Sequence, residues 1–377
     1  MDQLFPISDY IVFLTTSSAL YGIFALGLNL QWGVTGLTNF GVVAFMTLGA
    51  YTTALLTIKG FPIIFAVLVG AIFSAILGLG IGLSTLRLGE DYLAIVTIGV
   101  SELIRLIVNN EEWLTGGTFG VKNYPLPLDF EANLFTKFIL LIVLTLLAIY
   151  AELLLWNSLS QQWRQYQRIQ GKSVKQRKPL NLIIWGVITT SFIILVYVPG
   201  TVAIYNYTYK AGLMVLALLT LAIIYTGLEL LVHSPWGRIL KAIREDENIA
   251  TALGKNILFY KLQSFMLGGA ISGIAGSFFA WQLTTIYPKS SEPLLTFNAW
   301  IIVVLGGAGS NAGVILGAII FWAYDSITRF ILPQLGMLSQ SQAGAFRVMV
   351  IGLILMILMV WRPQGILGKK EELTLGK

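Results

Sequence analysis

The chain has 377 residues, 56% of them hydrophobic and only 11% charged, with a mean hydropathy of +0.80 and a formal net charge of +6. A soluble domain carries about 25% charged residues, so the composition excludes a soluble globular enzyme and points to a polytopic helical membrane protein. The absence of cysteine excludes disulfides, thiolate nucleophiles and cysteine metal sites, and a single histidine, His233, excludes a multi-histidine metal site.

The first ten residues, MDQLFPISDY, hold two Asp and no Lys or Arg. They lack the basic n-region of a cleavable signal peptide, so the first apolar run reads as a retained span. A span needs about 20 apolar residues. Candidates fall at 10–30, 38–58, 61–85, 90–109, 135–155, 181–199, 209–232, 261–284, 292–308, 311–331 and 344–361. The fold class expected is all-α, a single transmembrane domain over 1–377 with about 10–11 spans; 31–38 and the short 292–308 are its weak links.

Charge tests this list. If every segment crosses, loops 156–180 and 232–260 and the tail 362–377 share one side. With Arg87 and Lys261, at the boundary of the second loop, they place 16 of the 24 Lys and Arg there. Among them are Arg164, Arg168, Lys172, Lys175, Arg177 and Lys178 in the first loop, and Arg238, Lys241 and Arg244 in the second. The opposite loop 110–134 carries Glu111, Glu112, Asp129 and Glu131 against Lys122. The positive-inside rule then puts the basic loops and the C-terminus in the cytoplasm and the N-terminus outside. The Gln- and Arg-rich loop 156–180, with Trp156, Trp163 and Tyr166, suits an interface with anionic headgroups.

Span 10–30 runs into Gln31-Trp32-Gly33-Val34-Thr35-Gly36-Leu37-Thr38-Asn39-Phe40-Gly41. Glycines and hydroxyls this dense either break a helix at membrane depth, which is tolerated only against protein or a water-filled cavity, or form a short polar turn between two full spans. Glu102 and Arg105 lie three apart in span 90–109 and pair on one face, as a structural ion pair or as a transport element. Asp325 is a second ionisable residue in an apolar run, expected near the outer interface and solvated there. Gly78, Gly80 and Gly82, then Gly269, Gly273 and Gly276, then Gly309, Gly313 and Gly317 read as close helix packing. No phosphate-binding GxxxxGK[ST] loop occurs in the sequence, so ATP is not bound by that route.

Ser234–Lys255 is a charged island between apolar runs. Ser234 is a good N-cap, Pro235 suits the first helical position, Arg238 to Leu253 holds no internal Pro or Gly, and Gly254 follows where a left-handed cap belongs. Ile239, Ala242, Ile243, Ala250 and Leu253 supply a narrow apolar stripe beside the dense charge of 244–247. Such a helix is either a solvated loop element or one that docks into a groove on a soluble partner.

Several stretches resemble a LivM-type permease, the inner-membrane subunit of branched-chain and neutral amino-acid ABC importers. They are Gly33-Val34-Thr35-Gly36 with Gly49-Ala50-Tyr51, Glu90-Asp91-Tyr92-Leu93-Ala94-Ile95-Val96-Thr97, Leu114-Thr115-Gly116-Gly117, Ser234-Pro235-Trp236-Gly237-Arg238 through Ala242–Glu247 to Ala252-Leu253-Gly254, Val304–Ser310, and Arg362-Pro363-Gln364-Gly365. They occur in family order across most of the chain. The resemblance implies a bacterial inner-membrane permease in a lipid bilayer, with no catalytic residue, no metal, no cofactor of its own and no nucleic-acid partner. It also implies a LivH-like second permease, two cytoplasmic ABC ATPase subunits that bind ATP-Mg, and a periplasmic amino-acid-binding protein. The 232–260 loop would then be a coupling helix, with Ser234, Pro235, Arg238, Arg244, Glu245, Asp246, Glu247 and Gly254 as its ATPase-coupling surface. A translocation path would use 31–41 and parts of 90–109 and 296–310, with Thr35, Thr38, Asn39, Glu102, Arg105 and Asn298 as candidates. Two alternatives stay open, a urea ABC importer permease and an ATP-independent secondary carrier. One departure from the family pattern is region 135–208, which looks like an added helical pair. In that long form the chain resembles cyanobacterial neutral amino-acid permeases.

Overall fold

The computed structural model describes residues 4–86, 90–130, 132–170, 180–334, 340–361 and 364–368. Arg87, Glu131, the basic residues 172–178, Arg362, Pro363 and the lysines of 369–377 lie outside these. Among the described residues the chain is helical, with no strand and one isolated antiparallel bridge, Val121 with Ile286. In chain order the helices are α1 (Leu4–Leu28), α2 (Val42–Ile58), α3 (Ile63–Thr85), α4 (Glu90–Asn110), α5 (Glu112–Thr115), α6 (Leu134–Gln170), α7 (Leu180–Asn206), α8 (Tyr209–His233), α9 (Pro235–Glu245), α10 (Glu247–Ala252), α11 (Ile257–Leu283), α12 (Leu294–Gly306), α13 (Asn311–Gln334) and α14 (Gln340–Trp361). A π-helical turn, Asn29–Val34, continues α1.

Each of the eleven apolar stretches of the sequence is helical. Eight helical stretches among the described residues are long and apolar enough to cross a membrane; α2 is shorter, and α12 has only 13 residues. The chain is a multi-pass membrane protein. The expected loop from residue 156 differs from the structure, because α6 runs unbroken to Gln170. At 1.5 Å per residue its 37 residues extend about 55 Å, well beyond a hydrocarbon core of about 30 Å.

Two compact units divide the chain, residues 1–15 with 128–222 and residues 16–127 with 223–377. The first contains the 135–208 segment. Its core gathers Val12, Leu140, Leu144, Ala203, Ile204, Ala211, Met214 and Val215. Thr190 donates to Glu152 at 3.0 Å between α6 and α7, so the carboxylate has a partner where lipid would supply none.

The second unit is organised around α11. Some 72% of its spanning window is buried, and 83% of that of α1, against 39% or less in the other six. Small residues explain this. Ser264, Gly268 and Ser272, four apart, face α1 and its π-turn, where Gly27 and Gln31 lie against them. Gly269, Gly273 and Ser277, also four apart, face α2 and α3. A Cβ at Gly49 would strike the Gly273 carbonyl, so the two backbones touch, and Thr53 and Ser277 share a hydrogen bond of 2.7 Å one turn on. Lipid-embedded helices associate through such close approach and interhelical hydrogen bonds. The expected glycine packing holds at Gly78, Gly82, Gly269, Gly273, Gly276, Gly313 and Gly317, but not at Gly80, where a Cβ would meet open space.

The ends of this unit are distinct. At one, the 117–121 turn pairs with Ile286, Lys122 lies 5.7 Å over the Tyr287 ring, and Tyr124 donates to the Ala280 carbonyl. Burial pushes the Tyr124 phenol well above its ordinary pKa, so it stays a donor. At the other end, residues 366 and 367, just past the quoted Arg362–Gly365 stretch, donate to the carbonyls of Leu305 and Gly306 at 3.1 and 2.9 Å.

Candidate functional site

The broken segment and the charged island come together at that second end. The turn between α1 and α2 does not reach the start of α11; it lies level with Ser264–Gly268. Its polar side chains are buried and satisfied. Gln31 donates to the Phe265 carbonyl at 2.9 Å and accepts from Asn39 at 2.8 Å. Thr35 bonds Ser264 at 2.6 Å and the Leu30 carbonyl at 2.9 Å. Asn29 accepts from the Gly309 amide at 2.8 Å and donates to Asn311 at 3.0 Å, which in turn donates to Glu229 at 3.1 Å. The break in the helix is thus filled by protein, so its polar groups need no partner from lipid or water.

Thr35 and Asn39, expected on a path, are 1% and 0% exposed and serve this cluster. Thr38 and Asn298 are half-buried. Beside the turn, Trp32 and Phe40 meet Trp300 of α12, with ring centroids 4.4 and 4.8 Å apart, and the Trp300 indole donates to the Asn39 carbonyl at 3.0 Å. Glu102 and Arg105 form their pair, the guanidinium donating at 2.8 Å through one of its two bonds, with side chains 40% and 30% exposed. Asp325 departs from the solvated reading. Its side chain is 17% exposed and accepts from Arg329 at 2.8 Å and from Arg347 at 3.3 Å, because an isolated carboxylate in an apolar helix demands counter-charge.

The charged island begins and ends as its residues dictate. The Ser234 hydroxyl accepts from the Gly237 amide, Pro235 occupies the first helical position, and Gly254 takes φ 72° after α10. Between them the single helix expected over 238–253 is two. Asp246 leaves helical geometry at φ −158°, ψ 113°, and its carboxylate caps α10 through the amides of Asn248 and Ile249 at 2.7 and 3.3 Å. An Asp that caps a new helix competes with continuation of the old one.

The resulting arm docks on its own unit. Gly237, Leu240, Ile243 and Ala250 are buried, and Trp236 donates to Gln263 at 2.8 Å. Arg244 turns inward and donates to the Gly33 carbonyl. Glu247 accepts from Lys261 of α11, whose side chain is only 7% exposed. Facing outward are Pro235, Arg238, Glu245, Asp246 and Gly254, together with Ile249 at 60% and Leu253 at 69% exposure. Of the apolar stripe, Ile243 and Ala250 are buried against the unit and Leu253 is not. Sequence reasoning did not reach Asn29 or Asn311, and took in Gln31, Thr296 and Trp300 only within the segments 31–41 and 296–310. Their signal was polarity inside apolar runs, Asn29 and Gln31 above all, but their partners lie more than 230 residues away in the chain.

A helical bundle with discontinuous helices around a polar cluster and an arm at one end defines a membrane transport permease. A family model described as "Branched-chain amino acid transport system / permease component" matches residues 10–359, and the chain belongs to that family. Among its relatives, the high-affinity branched-chain amino acid transport system permease protein LivM of Escherichia coli (strain K12) is 29% identical over 96% of this chain and 71% of its own. The "Probable branched-chain amino acid transport permease protein LivM" of Methanocaldococcus jannaschii is 24% identical over 94% and 92% respectively. The LivH permease of Escherichia coli (strain K12) is 27% identical over 37% and 42%. No solved structure gives a significant match.

Proposed function

We propose that this permease is the membrane subunit of an ATP-driven ABC importer for neutral and branched-chain amino acids in a bacterial inner membrane. It pairs there with a LivH-like permease, two cytoplasmic ATPase subunits that hold ATP-Mg, and a periplasmic binding protein. The single observation that carries the reading is the α9–α10 arm. It is anchored on its inner face by Leu240, Ile243 and Ala250, while Arg238, Glu245, Ile249 and Leu253 project outward as a mixed apolar and charged surface. An exposed amphipathic helical turn of this kind fits a groove on a soluble partner. The charge bias supports a cytoplasmic arm and an N-terminus outside.

The path runs along the broken segment and the short α12, with the half-buried Thr38 and Asn298 as its candidate polar contacts. Discontinuous helices line substrate paths in other transporters. ATPase closure moves the arm, and the bundle switches between two access states as rigid bodies.

The experiment is uptake of leucine by proteoliposomes holding the whole complex, with Glu245→Arg and Leu253→Asp compared with the native chain. The reading expects ATP-dependent uptake, lost in the variants together with co-purification of the ATPase subunits. Uptake that needs an ion gradient and no ATP overturns it.

A further inference from the structure

The Arg244 side chain points away from the surface a partner would meet. Its guanidinium donates to the carbonyl of Gly33, 211 residues earlier, at the C-terminal end of the π-helical turn. Helical ends leave carbonyls without intrahelical donors and carry partial negative charge, so a cation is the fitting partner there. The stem of Arg244 is also packed. Gly36 holds φ 86°, and a Cβ at that position would come within 3.3 Å of the Arg244 Cγ, so glycine here meets a close approach and a left-handed backbone together.

The element that Arg244 grips is not a loose loop. Asn29 fastens the same π-turn to Gly309 and Asn311, Gln31 fastens it to α11, and the Trp300 indole fastens the chain just beyond it to α12. A displacement of α9 that reached Gly33 would move this cluster as one body. By contrast, Arg238 and Glu245 of the same helix are exposed.

We propose that Arg244 is the transmitting residue of the arm: by its bond to the Gly33 carbonyl it positions the broken segment and carries arm movement to it, rather than contacting the ATPase. The proposal rests on the arm being a coupling element. It separates two roles within one helix, docking by the outward residues and transmission by the inward arginine.

The test uses the full complex in proteoliposomes and measures three quantities for Arg244→Gln, Arg244→Lys and Glu245→Arg: co-purification of the ATPase subunits, ATP hydrolysis, and leucine uptake per ATP. Arg244→Gln is expected to retain the ATPase subunits and hydrolyse ATP within about twofold of the native rate, while uptake per ATP falls about tenfold or more. Arg244→Lys, which keeps a cationic donor without the planar fork, is expected between the two. Should the Gln variant not fold, the Lys variant decides by the same ratio. Native uptake per ATP in the variants overturns the proposal and leaves the coupling reading standing. Loss of the ATPase subunits from the Arg244 variants, as from Glu245→Arg, also overturns it, since the arginine would then be a docking contact. Uptake without ATP in the native complex overturns the coupling reading itself.

Discussion

Glu247, the first residue of α10, is ion-paired with Lys261, the second-turn lysine of α11. Lys261 is almost enclosed, while Glu247 is 44% exposed, so the pair is asymmetric: the lysine needs the glutamate more than the reverse. Removing one partner of a buried pair strands the other charge, at about 3–5 kcal/mol when both are enclosed. With one partner half-exposed, Glu247→Ala should cost about 1–3 kcal/mol, read as a lower unfolding midpoint of the detergent-purified chain. Adding Lys261→Met should recover most of that loss. A midpoint that falls further in the double variant contradicts the assignment.

Asp246 gives a separable prediction. Its carboxylate caps α10, and loss of such a cap costs about 1 kcal/mol. Asp246→Ala should therefore speed amide exchange over residues 247–252 about fivefold, with exchange in α11 unchanged. If Asp246 were only a surface charge, exchange across 247–252 would stay at the native rate.

Gly49 and Gly80 form a matched pair. At Gly49 a methyl group meets the Gly273 backbone, which cannot yield as a side chain does, and overpacking of that kind costs about 1–3 kcal/mol. Gly80 opens to empty space. Gly49→Ala should lower the unfolding midpoint and Gly80→Ala should leave it unchanged or raise it slightly. Equal midpoints for the two variants would show that α2 and α11 are not in backbone contact.

Asn29 tests the polar cluster. Leucine in its place fills similar volume but leaves the Gly309 amide and the Asn311 side chain short of a partner, at about 1–3 kcal/mol for each buried group. Asn298→Leu, at a half-buried position, should change stability by less than about 0.5 kcal/mol, yet alter leucine uptake if Asn298 lines the path. A stability loss at Asn298 equal to that at Asn29 would place Asn298 inside the cluster.

These outcomes depend on what a sequence carries. The helices were legible because apolar runs of span length admit little else. The Ser234, Pro235 and Gly254 signals were legible because caps act over three or four residues. Asp246 was harder, since a residue that caps one helix also sits acceptably within another, and packing of Ala250 and Ile243 onto the bundle decides between them. Arg244 and Glu247 looked like surface charges because their partners, Gly33 and Lys261, are set by how α9 and α10 lie on the unit. Asn39 and Thr35 stand out as polar residues beside apolar runs, and their partners lie within the protein. Polarity at membrane depth marks a site without saying whether protein or a transported molecule satisfies it.

The central place of α11 has a consequence for synthesis. α2 and α3 present Gly49, Thr53 and Ser74 to a helix that begins at Ile257, roughly 170 residues after α3 ends at Thr85. At about 5–20 residues per second, those faces spend roughly 10–35 s in the bilayer before their partner exists. In that interval the Ser74 hydroxyl has a local partner in the Gly70 carbonyl at 2.9 Å, whereas Thr53 awaits its bond to Ser277 of α11. Until α11 arrives, these small-residue faces offer any passing helix the same close approach that α11 later takes.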